Sequence, residues 1–231
     1  AVAVGGDGLV RAVAAGASRH GGTVGIVPAG RGNDFARTVG ITKDVPAAVL
    51  TLLTADPRPT DCIAVNDRVA LGNVYIGFDS LTNVAANQLR VNLGQFSYAY
   101  AALRVALTMP PLDFAIEVDG VRRTFTGSGV AVASSVYYGG AIPLAPTADP
   151  HDGLLDVVTF GFTGRRTRVT ALLAMRRGGH IDRPDVDHAR AREVRIEVDP
   201  VLEAYSDGDP IAPAPLHVRV LPGAINLLRP L

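Results

Sequence analysis

The sequence predicts an α/β protein: a parallel-sheet nucleotide domain, truncated at its start, followed by a β-sandwich-like domain. Over the first sixty residues, short apolar runs alternate with runs of helical period, as in a parallel sheet. Two of the strand-to-helix junctions are glycine turns, Gly5-Gly6-Asp7-Gly8 and Gly30-Arg31-Gly32-Asn33-Asp34. After Pro57-Arg58-Pro59, strand-like runs follow one another across Asn66-Asp67 and Asp119-Gly120, which is hairpin chemistry. The expected units are residues 1–59, with 224–231 rejoining that sheet, and residues 60–223.

The apolar run Ala1 to Val4 opens the first sheet. Leu9, Val10, Val13, Ala14 and Ala17 recur at helical spacing, so a helix is expected from about Leu9 to His20-Gly21-Gly22. Thr23 to Val27 reads as a buried strand. Asn33 or Asp34 can cap a short helix through Thr38, ended by Gly40. Pro46 to Thr54 is a third helix with proline in its first turn. In the second unit, Asp61 to Val65 and Val69 to Ile76 alternate as strands. Helices are expected over Leu81 to Arg90, Phe96 to Thr108 and Arg166 to Arg177. Strands are expected over Phe114 to Val118, Val121 to Thr126, Gly129 to Val136, Leu155 to Phe162, Val194 to Val198 and Leu216 to Leu221.

Composition narrows the chemistry. Hydrophobic residues at 48% of the 231 support a real core, and a formal net charge of +0 gives no field that advertises nucleic acid. Lys43 is the only lysine and follows no glycine turn. That excludes Walker-type and protein-kinase sites, which place a lysine on the nucleotide phosphates. Any phosphate must be held by backbone N–H groups, arginine or a metal. The single Cys62 fits a reducing compartment, and the five histidines lack metal-ligand spacing. No apolar stretch has the ~18 residues of a membrane span. The chain opens within a strand and without methionine, so a preceding segment is expected.

The two glycine turns would lie at one edge of the parallel sheet, where ligands collect. A strand, glycine turn and helix in sequence aim N–H groups at a phosphate. Glycines that merely permit tight turns are the alternative, which leaves the crowding of Asn33-Asp34 beside Arg31 unexplained.

Together, Gly5-Gly6-Asp7-Gly8 and Pro28-Ala29-Gly30-Arg31-Gly32-Asn33-Asp34-Phe35-Ala36 resemble the diacylglycerol kinase catalytic domain, the fold of bacterial lipid kinases and sphingosine kinases. The likeness continues, in the family's order, through Tyr137-Tyr138-Gly139-Gly140, Ala145-Pro146, Asp149 to Asp156 and Asp207-Gly208-Asp209. The resemblance implies an ATP-dependent lipid kinase acting on diacylglycerol or a related lipid, with its site between the two domains. It also implies a strand and phosphate loop before Ala1. Gly5, Gly6, Asp7, Gly8, Leu9, Gly30, Arg31, Gly32 and Asn33 would then bind the nucleotide. The expected setting is cytoplasmic, with peripheral membrane contact, a membrane lipid as partner, no nucleic acid and, as an option, a homodimer. Three positions depart from the family: Leu9 and Arg31 replace threonines, and Asp209 replaces a glutamate. Arg31 can compensate because guanidinium forks phosphate oxygens; Leu9 retains only its backbone N–H.

By the resemblance, Asp209 is the proton acceptor for the lipid hydroxyl and Asp207 positions it or the metal. A hairpin turn is the other reading of Asp-Gly-Asp. Asp149, Asp152 and the carbonyl of Leu154 offer hard oxygens suited to Mg²⁺, a site that the resemblance also implies; an Asp-Pro, Asp-Gly loop with solvated carboxylates is the alternative. Asp79 matches a family position but also reads as a helix cap. Arg165, Arg166, Arg168, Arg176 and Arg177 flank a helix whose other face is Val169, Leu172 and Leu173, either as a solvated face or as an anionic-membrane contact. Two other functions fit the residues. One is an NAD kinase, which shares a GGDG-type loop; the other is a non-catalytic relative that binds nucleotide or lipid.

Overall fold

A computed structural model describes residues 1–89 and 97–230. β1 (Val2–Gly5) lies parallel to β2 (Thr23–Pro28), and α1 (Asp7–Ala17) connects them, burying Val10 and Ala14. The helix begins two residues before the expected Leu9. Gly6 takes the extended N-cap conformation, and Asp7 sits in the first turn, where the helix dipole favours an anion. α2 (Asp34–Thr38) and α3 (Val45–Thr54) follow; Asp44 caps α3 by accepting from Ala47 N–H at 3.3 Å.

β3 (Pro57–Val65) starts at the proline pair itself. The run expected as one strand over Val69 to Ile76 is two, β4 (Arg68–Ala70) and β5 (Asn73–Gly77), because Leu71-Gly72 carries the chain from one sheet to the other. α4 (Phe78–Asn87) begins three residues before the expected Leu81, with Ser80 Oγ accepting from Gly77 N–H at 3.0 Å. α5 spans Ser97–Thr108. The expected helix ends at Arg90 and Phe96 lie outside the described residues. β6 (Leu112–Val118) and β7 (Val121–Gly127) form the hairpin across Asp119-Gly120, both with positive φ.

Then come β8 (Gly129–Ala133), the two-residue pair β9 (Tyr137–Tyr138) and β10 (Ile142–Pro143), β11 (Leu155–Phe160) and α6 (Arg165–Met175). The chain closes with β12 (Val186–Ala191), β13 (Glu193–Asp199), β14 (Glu203–Ser206), β15 (Asp209–Pro213) and β16 (Leu216–Leu228). β9, β10, β12, β14 and β15 are strands the sequence pattern does not announce.

One sheet runs β1-β2-β16-β13-β6-β7, with β3 on β16 and β4 on β3; the other runs β12-β11-β8-β5-β14-β15. β16 pairs antiparallel with β13 and β3, and at its end parallel with β2 through Asn226–Thr23 and Leu227–Val24. The parallel part and the sandwich therefore share a sheet, and the expected boundary at residues 59–60 falls inside β3. Ile63, Phe114, Val132, Leu155 and Val218 fill the space between the two sheets. Ala3, Val10, Ile26, Phe35 and Leu227 form the N-terminal core.

α6 differs from its expected two-faced form. Arg168 is buried, donating to Ser128 Oγ at 3.1 Å and to the carbonyls of Met109 at 2.7 Å and Thr163 at 2.9 Å. Leu173, assigned to the apolar face, is 66% exposed.

Candidate active site

β1 and β2 end side by side, Gly5 beside Pro28, so the two glycine turns meet at the carboxyl edge of the parallel strands. The second turn is braced from within. Asn33 Oδ1 accepts from Gly30 N–H at 2.8 Å, and Asn33 Nδ2 donates to Gly30 O at 2.8 Å. The Asn33 side chain, expected to assist a phosphate, is instead engaged in holding the turn's shape. Leu9 N–H, expected as a backbone donor, bonds to Gly6 O at 3.1 Å inside the first helical turn. The donors available to a phosphate are the earlier N–H groups of α1, which have no intrahelical acceptor.

Two carboxylates flank Gly32. A Cβ there would lie 2.9 Å from Asp7 Oδ2 and 3.1 Å from Asp34 Oδ2, so glycine makes room for both. Asp7 Oδ1 accepts from Phe35 N–H at 3.1 Å. Burial, with the nearby Asp34 charge, holds the Asp7 carboxyl above the usual carboxylate range. Asp34 reaches across to the second domain, accepting from Gly140 N–H at 2.8 Å and Ala141 N–H at 2.7 Å. The sequence offers Asp34 as a possible cap and as part of the crowded second turn, and neither reading extends to the other domain.

A second carboxylate pair comes from the β14–β15 hairpin. Ser206 pairs with Asp209, leaving Asp207-Gly208 as a two-residue loop with positive φ at both positions. The hairpin reading and the catalytic reading of this stretch thus coexist, since the tight turn is what presents the two aspartates. Asp207 is pushed up to about 7, by burial first and by the Asp7 charge second. Asp209 is more open, and its Oδ2 accepts from Arg11 Nη2 at 2.9 Å. A Cβ on Gly8 would lie 3.2 Å from the same oxygen, so Asp209 overlies the first glycine turn. Arg11, one helical turn beyond Gly8, was not singled out from the sequence.

Asp7, Asp34, Asp207, Arg31 and Gly32 line one pocket of about 440 Å³ between the domains. Tyr75, Asn83 and Tyr138 line its other wall. Behind them Tyr138 Oη donates to the buried Asp79 at 3.0 Å, and burial pushes the Asp79 carboxyl up to about 6. Asp79 also lines a small cavity of about 20 Å³ with Phe78, Phe160, Phe162, Leu172 and Met175, so it stands between polar and apolar space.

The turn expected to hold Mg²⁺ lies elsewhere, against Pro59 and Asp61 of β3, and contributes nothing to the pocket. Asp149 Oδ1 accepts from His151 N–H at 3.0 Å, and Asp152 Oδ1 from Leu154 N–H at 2.9 Å. The other Asp152 oxygen is paired with Arg190, which also stands 3.8 Å from the buried Asp156. Among the described residues, no three Asp, Glu, His or Cys side chains group as a metal cage. An ion on this turn would have to share Asp152 with the Arg190 guanidinium.

The site's two halves match two domain models. Residues 1–65 match the diacylglycerol kinase catalytic domain, and residues 72–229 match the YegS C-terminal NAD kinase beta sandwich-like domain. The chain belongs to the diacylglycerol kinase family of lipid kinases. It is 33% identical over 215 residues to a protein named diacylglycerol kinase from Mycobacterium tuberculosis (strain ATCC 25618 / H37Rv), covering 90% of this chain and 69% of that protein. It is 28% identical to a diacylglycerol kinase of Bacillus subtilis (strain 168), covering 99% of this chain and 75% of that one. A crystal structure of a diacylglycerol kinase from Bacillus anthracis str. Sterne shares the fold, with a TM-score of 0.79 at 23% identity over 99% of this chain and 77% of the other. Among the described residues, no helix of this family member is long and apolar enough to cross a membrane.

Proposed function

We propose that this lipid kinase uses Mg-ATP to phosphorylate the free hydroxyl of diacylglycerol or a closely related lipid. The observation that carries the reading is the single pocket on which both glycine turns and the carboxylates Asp7, Asp34 and Asp207 converge. Phosphoryl transfer gains its rate from positioning and from neutralising charge on the phosphates. Gly5, Gly6, Gly8, Gly30 and Gly32 keep side chains out of the space a triphosphate needs, while Arg31 at the pocket wall supplies positive charge. Asp7 suits a Mg²⁺ that arrives with the nucleotide, since this ion is held by one or two carboxylates plus substrate phosphates.

Asp209 accepts the proton of the lipid hydroxyl as the phosphorus–oxygen bond forms and ADP leaves. Its place above Gly8 supports that role. Names of relatives point to diacylglycerol as acceptor. Such a substrate requires peripheral contact with a membrane, and sedimentation with anionic or zwitterionic vesicles tests it.

The deciding experiment gives the protein radiolabelled ATP with diacylglycerol in mixed micelles, and NAD in a parallel reaction. Label in lipid, cut to a small residual rate by Asp209→Asn, is the expected result. Label in NAD alone, or in neither, rejects the reading.

A further inference from the structure

We infer that Arg11 is a positioning residue that aims the Asp207-Gly208-Asp209 hairpin at the phosphate site. The inference rests on the lipid-kinase reading and adds a part to it. Arg11 belongs to the N-terminal unit, on α1, yet its guanidinium reaches carboxylates of the last hairpin of the sandwich. Nη2 donates to Asp209 Oδ2 at 2.9 Å, while Nε faces Asp207 Oδ2 at 3.9 Å. One side chain therefore addresses both aspartates from across the cleft.

Asp209 needs such a partner. Its side chain is 58% exposed, and an exposed carboxylate at a hairpin end samples several rotamers. The Arg11 contact selects the one that lies over Gly8. With one methylene fewer than glutamate, Asp209 also has a shorter reach, so its placement tolerates less drift. Phosphoryl transfer depends on that placement, and a misplacement of ~1 Å costs on the order of 100-fold.

A second observation concerns the Nε–H. It is buried and has no hydrogen-bond partner among the described residues, although such donors are nearly always satisfied. The group it faces is Asp207 Oδ2 at 3.9 Å, an ion-pair contact without a hydrogen bond.

Steady-state kinetics of lipid phosphorylation by wild type, Arg11→Gln, Arg11→Lys, Asp209→Asn and the Arg11→Gln/Asp209→Asn double variant provide the test. Arg11→Gln is expected to lower kcat by roughly 10- to 100-fold, with KM for ATP within about twofold. Arg11→Lys should recover part of the loss, and the double variant should be no slower than Asp209→Asn. Unchanged kcat, an effect confined to KM for ATP, or multiplicative losses in the double variant would each overturn the inference. A wild-type protein that labels no lipid would instead count against the proposed function. Even then the contact is testable by NMR of the arginine Nε–Hε signals. The Arg11 signal should move in Asp209→Asn; a signal that stays put rejects the pairing.

Discussion

A Cβ added to Gly30 would lie 2.3 Å from the Cα of Gly6. The two glycine turns are thus in backbone contact, and each shapes the other. Backbone cannot swing aside as a flexible side chain does. Gly30→Ala should force the turns apart, costing about 1–3 kcal/mol in urea unfolding and weakening nucleotide binding in calorimetry. Gly16→Ala is the matched comparison. It lies within α1 with nothing inside 4 Å of the added carbon, and should stabilise by ~0.5–1 kcal/mol.

Asp207 makes stability fall with rising pH. Its folded-state pKa is raised from 3.8 to about 7, so the native chain holds this proton more tightly than the unfolded chain. That contribution is full below about pH 4 and is lost as pH climbs to 7, reaching at most about 4 kcal/mol. Asp79, raised to about 6, acts in the same direction. Asp207→Asn should flatten the decline in unfolding free energy between pH 4 and 7. An unchanged slope would rule out Asp207 as its source.

Asp34 ties the second glycine turn to Gly140 and Ala141 of the other unit. Asp34→Ala removes the acceptor of the exposed Gly140 N–H and the half-buried Ala141 N–H, at about 0.5–1.5 kcal/mol each. Asp34→Asn keeps one acceptor oxygen and should retain part of the stability. Chemical denaturation of the three proteins, run at one pH, checks the ranking.

Because Arg190 pairs with Asp152, the Asp149 to Leu154 turn should not depend on a divalent ion. Excess EDTA is expected to leave the melting temperature unchanged, whereas Arg190→Met should lower it by several degrees, leaving Asp152 and buried Asp156 short of positive charge. A clear drop with EDTA in the wild type would point to a metal there.

The legible parts of the fold were those where chemistry is local. Glycine turns after apolar runs, Pro46 in a first turn and Asp119-Gly120 between alternating strands each act within a few residues, so periodicity and turn rules reach them. β12 was not legible because it is an edge strand in which Asp187, His188 and Arg190 interrupt the apolar alternation. Arg168 had the same difficulty in reverse. Nothing local distinguishes it from its four neighbouring arginines, since its acceptors are Ala106 on α5, Met109 just beyond it, and the loops around Ser128 and Thr163. At the site, the family resemblance points to Asp207 and Asp209, whereas their turn chemistry alone reads as a hairpin, and neither signal reaches Arg11. Its significance exists only once residues 11 and 209 are brought together, and no spacing rule spans that distance.

The last strand has a consequence for how the protein is made. Val24 is hydrogen-bonded across from Leu227, and Thr23 from Asn226. While the chain is being synthesised, the sheet that carries both glycine turns therefore waits with one side of β2 open until nearly all of the sandwich has emerged. The nucleotide edge is translated well before the strand that finishes it. A ribosome stalled before residue 226 should display a sandwich under construction beside a first sheet still vulnerable to protease.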